Sequence, residues 1–163
     1  MKIIVACDSF KGCMSSKEVE KCIRRGILKA NPNHEVFTFP MADGGEGTAM
    51  VFCDIIQGKT IDVLTVDAYG KKLFTQYCIS QDSNLAIMDV ASCIGLNMTP
   101  KEKRNPMIAS SRGVGIMMKD AISRGCKKLI IGLGGSATND GGMGILSEFG
   151  VRFYNSKREL LVP

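Results

Sequence analysis

The chain has 163 residues, of which 45% are hydrophobic and 23% charged, with a formal net charge of +5 at pH 7. These values are typical of one soluble globular domain with its own core, and no apolar stretch approaches the roughly 20 residues of a membrane-spanning helix. The densest charged run, Lys101 to Arg104, mixes both signs and lacks interleaved aromatic residues, which argues against a nucleic-acid partner.

The first sixty residues predict two strand–helix pairs. Lys2 to Cys7 forms a continuous apolar strand, which predicts burial on both faces. Ser15 to Glu18 forms a Ser-x-x-Glu capping box, and apolar residues recur at spacings of three and four from Val19 to Ala30, which predicts a helix with that stripe on its inner face. Residues 36–39 predict a second strand and residues 48–56 a second helix. Short connections between them are typical of a parallel sheet with helices packed on it.

From residue 59 the pattern changes to consecutive short strands separated by turns. A loop-like stretch with two prolines covers residues 94–106. The further predicted elements are strands over 60–66, 73–80 and 85–88, a helix over 113–123, and a strand, glycine loop, helix and strand over 128–154.

These elements predict an α/β fold. Residues 1–65 would form a Rossmann-like parallel sheet with helices on both faces, and residues 66–163 a β-rich second lobe with a glycine-rich phosphate loop. Seven scattered cysteines without a Cys-x-x-Cys pair are typical of reduced thiols, so we expect a cytoplasmic protein without a disulfide framework.

The most informative segment is the stretch from Gly132 to Gly144, which has six glycines in thirteen positions and follows the apolar run 129–131. Glycine lets backbone N–H groups approach a ligand closely. A strand that leads through such a loop into a helix start directs unpaired N–H donors outward, which suits phosphate. The segment therefore predicts a site for a phosphorylated ligand.

A second glycine loop, Pro40 to Thr48, places three glycines beside Asp43 and Glu46. Carboxylates repel phosphate unless a cation lies between them, and Mg²⁺ takes oxygen ligands shared between protein carboxylates and phosphates. The two loops together predict a nucleotide and a metal ion. A third polar segment, Asp8 to Gly12, follows the first strand at its carboxyl end, where ligands bind in open parallel sheets, and Lys11 could neutralise a phosphate there.

Two alternatives to a phosphate loop remain open. Gly132, Gly134 and Ala137 match the dinucleotide fingerprint in its Gly/Ala form, with Glu159 about twenty residues on, which would indicate an NAD-dependent oxidoreductase. Against this, the extension over residues 138–142 is foreign to dinucleotide loops. A purely structural glycine-rich turn is the other alternative.

Three segments, residues 8–12, 40–48 and 131–142, resemble the signature segments of type I glycerate kinase. Residues 104–106 and 110–115 resemble further segments of that family. The match is collinear from residue 1 to the end, but family members are roughly twice as long, so the chain resembles only their N-terminal part. Cys7 departs from the family pattern, where proline is common.

The resemblance implies transfer of the γ-phosphoryl group of ATP to a hydroxyl of D-glycerate, with ATP and Mg²⁺ as cofactors. Asp43 or Asp140 would be the base or the metal-positioning carboxylate. The implied catalytic residues are Asp43, Asp140 and Lys11, the phosphate-binding residues Gly134, Gly135, Ser136, Thr138 and Asn139, the substrate-binding residues Asp8, Ser9, Glu46, Arg104 and Arg112, and the Mg²⁺ ligands Asp43 and Glu46.

The absence of the family's C-terminal region leaves open an alternative to an active kinase. The family's active site lies between two lobes, so the chain could be an inactive fragment that keeps the fold. Apolar strand edges left unpaired would then favour a homodimer or a complementing C-terminal chain.

Overall fold

The computed structural model of the protein describes residues 1–161. The chain divides into two compact units, residues 1–43 and residues 44 onward. The domain division proposed from sequence at residue 65 stays a prediction. None of the helices among residues 1–161 combines the length and hydrophobicity that crossing a bilayer requires.

The first unit is a β-α-β element. Strand β1 (Lys2–Val5) lies parallel to β2 (Glu35–Thr38), and helix α1 (Ser16–Ala30) connects them. The predicted capping box is present: the Ser15 N–H donates to Glu18 Oε2 at 2.8 Å, and the Glu18 N–H donates to Ser15 Oγ at 3.4 Å. The residues that start the helix were therefore predicted correctly.

The burial predicted for this unit was wrong. Ile4 in β1 is 70% exposed, and Phe37, opposite it in β2, is 46% exposed. Along α1, Val19 is buried, but Ile23 is 39% exposed. Two strands with one helix packed on them bury a single face within the unit, so an apolar pattern on both faces leaves one of them exposed.

The second unit contains a four-stranded mixed sheet in the order β3-β4-β5-β6. Its first three strands are antiparallel neighbours, whereas β5 and β6 run parallel. The strands are β3 (Lys59–Val66), β4 (Lys72–Ile79), β5 (Leu85–Asp89) and β6 (Lys128–Gly132), and the helices are α2 (Thr48–Ile55), α3 (Ala91–Ile94), α4 (Arg112–Ser123) and α5 (Met143–Glu148).

The remaining elements are short. The predicted loop over 94–106 contains two 3₁₀ turns, Leu96–Met98 and Lys101–Lys103, and the chain continues after α5 into the hairpin of β7 (Phe153–Tyr154) and β8 (Leu160–Leu161). The predicted α/β class, with parallel strands and a β-rich second part, is confirmed.

The main core lies in the second unit between the sheet and α3 and α4. Tyr77, Met88 and Met117 are completely buried there. Beside this core, β5 and β6 end side by side, with Asp89 opposite Gly132. The core thereby fixes the point from which the loop over residues 132–144, here called the late loop, leaves the sheet.

Candidate active site

The late loop contacts the glycine loop over residues 40–48, here called the early loop, at positions that belong to the second unit. The Gly134 N–H donates to the Gly44 carbonyl oxygen at 2.8 Å. A Cβ added to Gly132 would lie 2.5 Å from that same oxygen, and one added to Gly134 would lie 2.9 Å from the Cα of Gly45. Glycine is therefore required at both positions because the backbones of the two loops are in direct contact.

Asp140 lies at the centre of the late loop and accepts four hydrogen bonds. Its donors are the Ser111 N–H and Oγ at 2.8 Å each, and the N–H groups of Gly142 and Gly144 at 3.1 Å each. Burial alone raises the pKa of Asp140, but hydrogen bonds from Ser111, Gly144 and Gly142 lower it overall. A carboxylate that is so fully engaged is a weak proton acceptor, so the geometry favours a positioning role for Asp140.

The start of α5 differs from the sequence expectation of outward, unpaired amides. The Gly144 N–H donates to Asp140, the Ile145 N–H to Ser111 Oγ, and the Met143 N–H to the Asp140 carbonyl. The first turn of this helix is thus satisfied within the chain, since Asp140 and Ser111 supply the acceptors that a phosphate would otherwise provide.

The amides of the loop itself are only partly used. The Ala137 N–H donates to the Ile94 carbonyl at 2.8 Å, and the Thr138 N–H donates to Ser136 Oγ at 3.1 Å. The hydroxyls of Ser136 and Thr138 lie 2.9 Å apart. Within residues 1–161, the amides of Gly135, Ser136 and Asn139 make no hydrogen bond, so they are among the donors available to a ligand.

The first unit has candidate residues of its own, which follow its two parallel strands. Lys11 Nζ lies 4.0 Å from Asp43 Oδ2, and both side chains are exposed. Asp8 accepts a hydrogen bond from the Ser9 N–H at 2.6 Å. Asp43 and Lys11 therefore form an accessible ion pair, in contrast to the enclosed Asp140.

The two candidate arginines are held by other protein groups. Arg112 Nε donates to Glu148 Oε1 at 2.6 Å, and Arg104 Nε donates to the Thr99 carbonyl oxygen at 3.0 Å. Arg112 directly follows Ser111, whose hydrogen bonds to Asp140 bring this part of the chain to the late loop. Its pairing with Glu148 fixes the guanidinium without using all of its donors.

A cleft of about 450 Å³ opens beside the early glycine loop, lined in part by Glu46, Asp62, Phe74 and Asp89. Asp89 is only 2% exposed, and its Oδ2 accepts a hydrogen bond from the Ala49 N–H at 3.1 Å. Its Oδ1 has no partner within residues 1–161. Burial raises the pKa of Asp89, and the Glu46 charge adds to this, although the backbone N–H groups of Ala49, Ser92 and Gly47 partly oppose the shift.

Sequence reasoning missed Asp89 and Ser111. Asp89 directly follows the predicted strand 85–88, so a carboxylate at the carboxyl end of a buried strand was a usable signal. Ser111 lies in the family-like segment 110–115, but no role was predicted for it, because its bond to Asp140 joins residues 29 positions apart.

Among residues 1–161, no three His, Cys, Asp or Glu side chains are grouped so that they could hold a metal ion. Mg²⁺ bound together with phosphates needs only one or two protein carboxylates, so Asp43 and Glu46 remain candidate ligands.

The model of the Glycerate kinase family matches residues 3–163 of the chain. The chain belongs to the glycerate kinase family. It is 39% identical over its full length to the glycerate kinase of Bacillus cereus, of which it covers 43%. It is 38% identical to the glycerate 2-kinase of Escherichia coli over 96% of its own length and 41% of that protein.

A solved structure from Salmonella typhimurium, whose protein carries the provisional name glycerate kinase 2, superposes with a TM-score of 0.77 at 34% identity. The match covers 98% of this chain and 43% of that one. The chain thus spans less than half the length of these members of the glycerate kinase family. The resemblance found in the sequence is confirmed, and membership in this family does not favour the dinucleotide oxidoreductase alternative.

Proposed function

We propose that this chain forms part of an ATP-dependent kinase that phosphorylates D-glycerate on a hydroxyl group. The observation that carries the proposal is the contact between the two glycine loops, found in a member of the glycerate kinase family. That contact holds the late loop in place while leaving several of its amides without acceptors.

The phosphates of ATP would bind at the late loop. The amides of Gly135, Ser136 and Asn139 are the donors that the fold leaves unused, and glycine gives a phosphate oxygen close access to the backbone. The hydroxyls of Ser136 and Thr138, paired at 2.9 Å, would donate from the same turn. Phosphoryl transfer depends mainly on such positioning and charge neutralisation.

Of the two candidate bases, Asp43 suits proton abstraction better than Asp140. Asp43 would accept the proton of the glycerate hydroxyl as that oxygen attacks the γ-phosphorus and the bond from phosphorus to the ADP oxygen breaks. Lys11, 4.0 Å from Asp43, would offset the negative charge of the transferring group. Asp140 would keep the loop in shape through Ser111.

The remaining candidates would bind substrate and metal. Arg112 and Arg104 would pair with the glycerate carboxylate, since guanidinium suits bidentate contact. Asp8 and Ser9 would contact the glycerate hydroxyls. Glu46 would hold Mg²⁺, which would supply charge neutralisation at the phosphates, and Asp43 would remain available as the base.

A coupled assay for ADP release in the presence of D-glycerate tests the proposal. Asp43→Asn should lower kcat by about 100-fold or more, the usual size of a general-base contribution. Ser136→Ala should weaken ATP binding measured by calorimetry. Glu35→Gln is the matched control, because Glu35 is an exposed carboxylate paired with Lys2 at 3.9 Å in the same unit.

The outcomes separate the alternatives. Turnover unchanged in Asp43→Asn would contradict the base assignment. ATP binding without ADP release would favour the inactive fragment. Failure to bind ATP at all would refute the proposed function.

A further inference from the structure

The residues that line the 450 Å³ cleft directly follow residues that contact the late loop. Glu46 and Gly47 line the cleft, and they directly follow Gly44 and Gly45, whose backbones contact the late loop. Its volume lies within the roughly 300–1,000 Å³ range of small-molecule sites. A ligand held at the late loop could therefore extend into this cleft.

The charge of the cleft disfavours an anion that has no bound cation. Glu46, Asp62 and Asp89 line it, and none of the described lining residues is Lys or Arg. Carboxylates repel a phosphate or the carboxylate of glycerate, whereas they accept hydrogen bonds from neutral hydroxyl and amino groups. The cleft therefore suits the uncharged, donor-rich end of a ligand.

Asp89 supplies an independent indication that a ligand donor belongs here. It lines the cleft, it is 98% buried, and its Oδ1 has no hydrogen-bond partner within the described chain. A buried acceptor without a partner costs free energy, which a hydroxyl or amino donor from a ligand would recover.

An aromatic surface completes the cleft. Phe74 projects from β4 and is 76% exposed, which is unusual for a phenylalanine in the middle of a strand. Met50 lines the same cleft. An exposed ring beside hydrogen-bond acceptors is what a nucleobase stacks on.

We propose that this cleft binds the nucleoside end of the phosphoryl donor, with the base on Phe74 and the ribose hydroxyls or the exocyclic amine facing Asp62 and Asp89. The proposal rests on the ATP-dependent function proposed above. It assigns the two ends of ATP to two places: the phosphates to the late loop, and the nucleoside to the space between α2 and the β3–β4 hairpin.

Calorimetric titration of the full chain with three probes tests this assignment: Mg²⁺–ATP, Mg²⁺–tripolyphosphate and adenosine. Phe74→Ala should weaken ATP binding by about tenfold or more, as loss of a stacked base does, and should leave tripolyphosphate binding unchanged. The matched control is Leu64→Ala, since Leu64 is 48% exposed and lies opposite Phe74 in the ladder but does not line the cleft.

The three probes distinguish failure of this proposal from failure of the proposed function. Equal ATP affinity in wild type and Phe74→Ala would overturn the nucleoside site and leave the kinase proposal standing. Adenosine binding that Phe74→Ala abolishes, without any tripolyphosphate binding, would support the cleft and count against the phosphate loop. If neither ATP nor adenosine binds, both proposals fall.

Discussion

Replacing Gly132 by alanine tests the contact on which the site depends. The backbone of Gly132 lies outside the left-handed region, so alanine fits its conformation, but the new Cβ would lie 2.5 Å from the Gly44 carbonyl oxygen. That is about 0.9 Å closer than ordinary van der Waals contact at 3.4 Å. Because the obstacle is backbone, the two loops must move apart.

The magnitude follows from the two interactions that change. Overpacking of this kind costs about 1–3 kcal/mol, and strain on the Gly134–Gly44 hydrogen bond adds about 1 kcal/mol. We expect Gly132→Ala to lower the free energy of unfolding by about 2–4 kcal/mol. ATP affinity should fall with it, because the loop that carries the free amides moves.

Urea unfolding followed by circular dichroism measures the first effect, and calorimetry with Mg²⁺–ATP measures the second. Gly26→Ala is the control: a Cβ there meets nothing within 4 Å, and the position is inside α1, so alanine should stabilise the helix by about 0.5–1 kcal/mol. A Gly132→Ala protein that unfolds at the wild-type urea concentration and binds ATP equally well would refute the reasoning.

Three further predictions concern individual side chains. Asp140→Asn should lower the free energy of unfolding, measured in urea, by about 2–3 kcal/mol, because the amide cannot accept all four hydrogen bonds. Hydrogen bonds lower the pKa of Asp140 despite its burial, so its stabilisation is present above about pH 4 and is lost as the pH falls further; the variant should lose less stability than wild type over that range. Tyr77→Phe removes a partly buried 2.6 Å hydrogen bond to Asp120, which keeps its pairing with Arg124, and should lower the free energy of unfolding by about 1–2 kcal/mol, measured by thermal unfolding. When the native protein is titrated with a thiol reagent, Cys13 and Cys22 should react fastest, because both are exposed. Cys78 and Cys93 should react slowly, because burial raises the pKa of each to about 12.

Local signals in the sequence predicted local structure. The capping box at Ser15 starts α1 as expected, and the strands predicted at 60–66 and 85–88 differ from β3 and β5 by one residue. Such features depend on residues three or four positions apart, or on alternation along one strand. They need no knowledge of the rest of the fold.

Burial and hydrogen-bond partners were not predictable in the same way. The apolar pattern of β1 is real, yet Ile4 is 70% exposed, because burial depends on what packs against each face. Ser111, the partner of Asp140, lies just before the predicted helix 113–123 and is 29 residues from Asp140, so the pairing became evident only in the folded chain. The sequence identified Asp140 as a candidate catalytic residue. It could not show whether Asp140 accepts a proton or holds the loop in place.

The late glycine loop shows why the structural and functional interpretations of such a motif are not exclusive. Gly132 and Gly134 are explained by packing alone, since any side chain there would strike the early loop. Asp140 is explained by the hydrogen bonds that hold α4 and α5 to the loop. Neither account explains why the amides of Ser136 and Asn139 have no acceptor within the described chain. The groups that surround these amides have their own hydrogen bonds satisfied within the chain. Packing therefore gives no reason for backbone donors without acceptors at this place, whereas binding of an anion requires them.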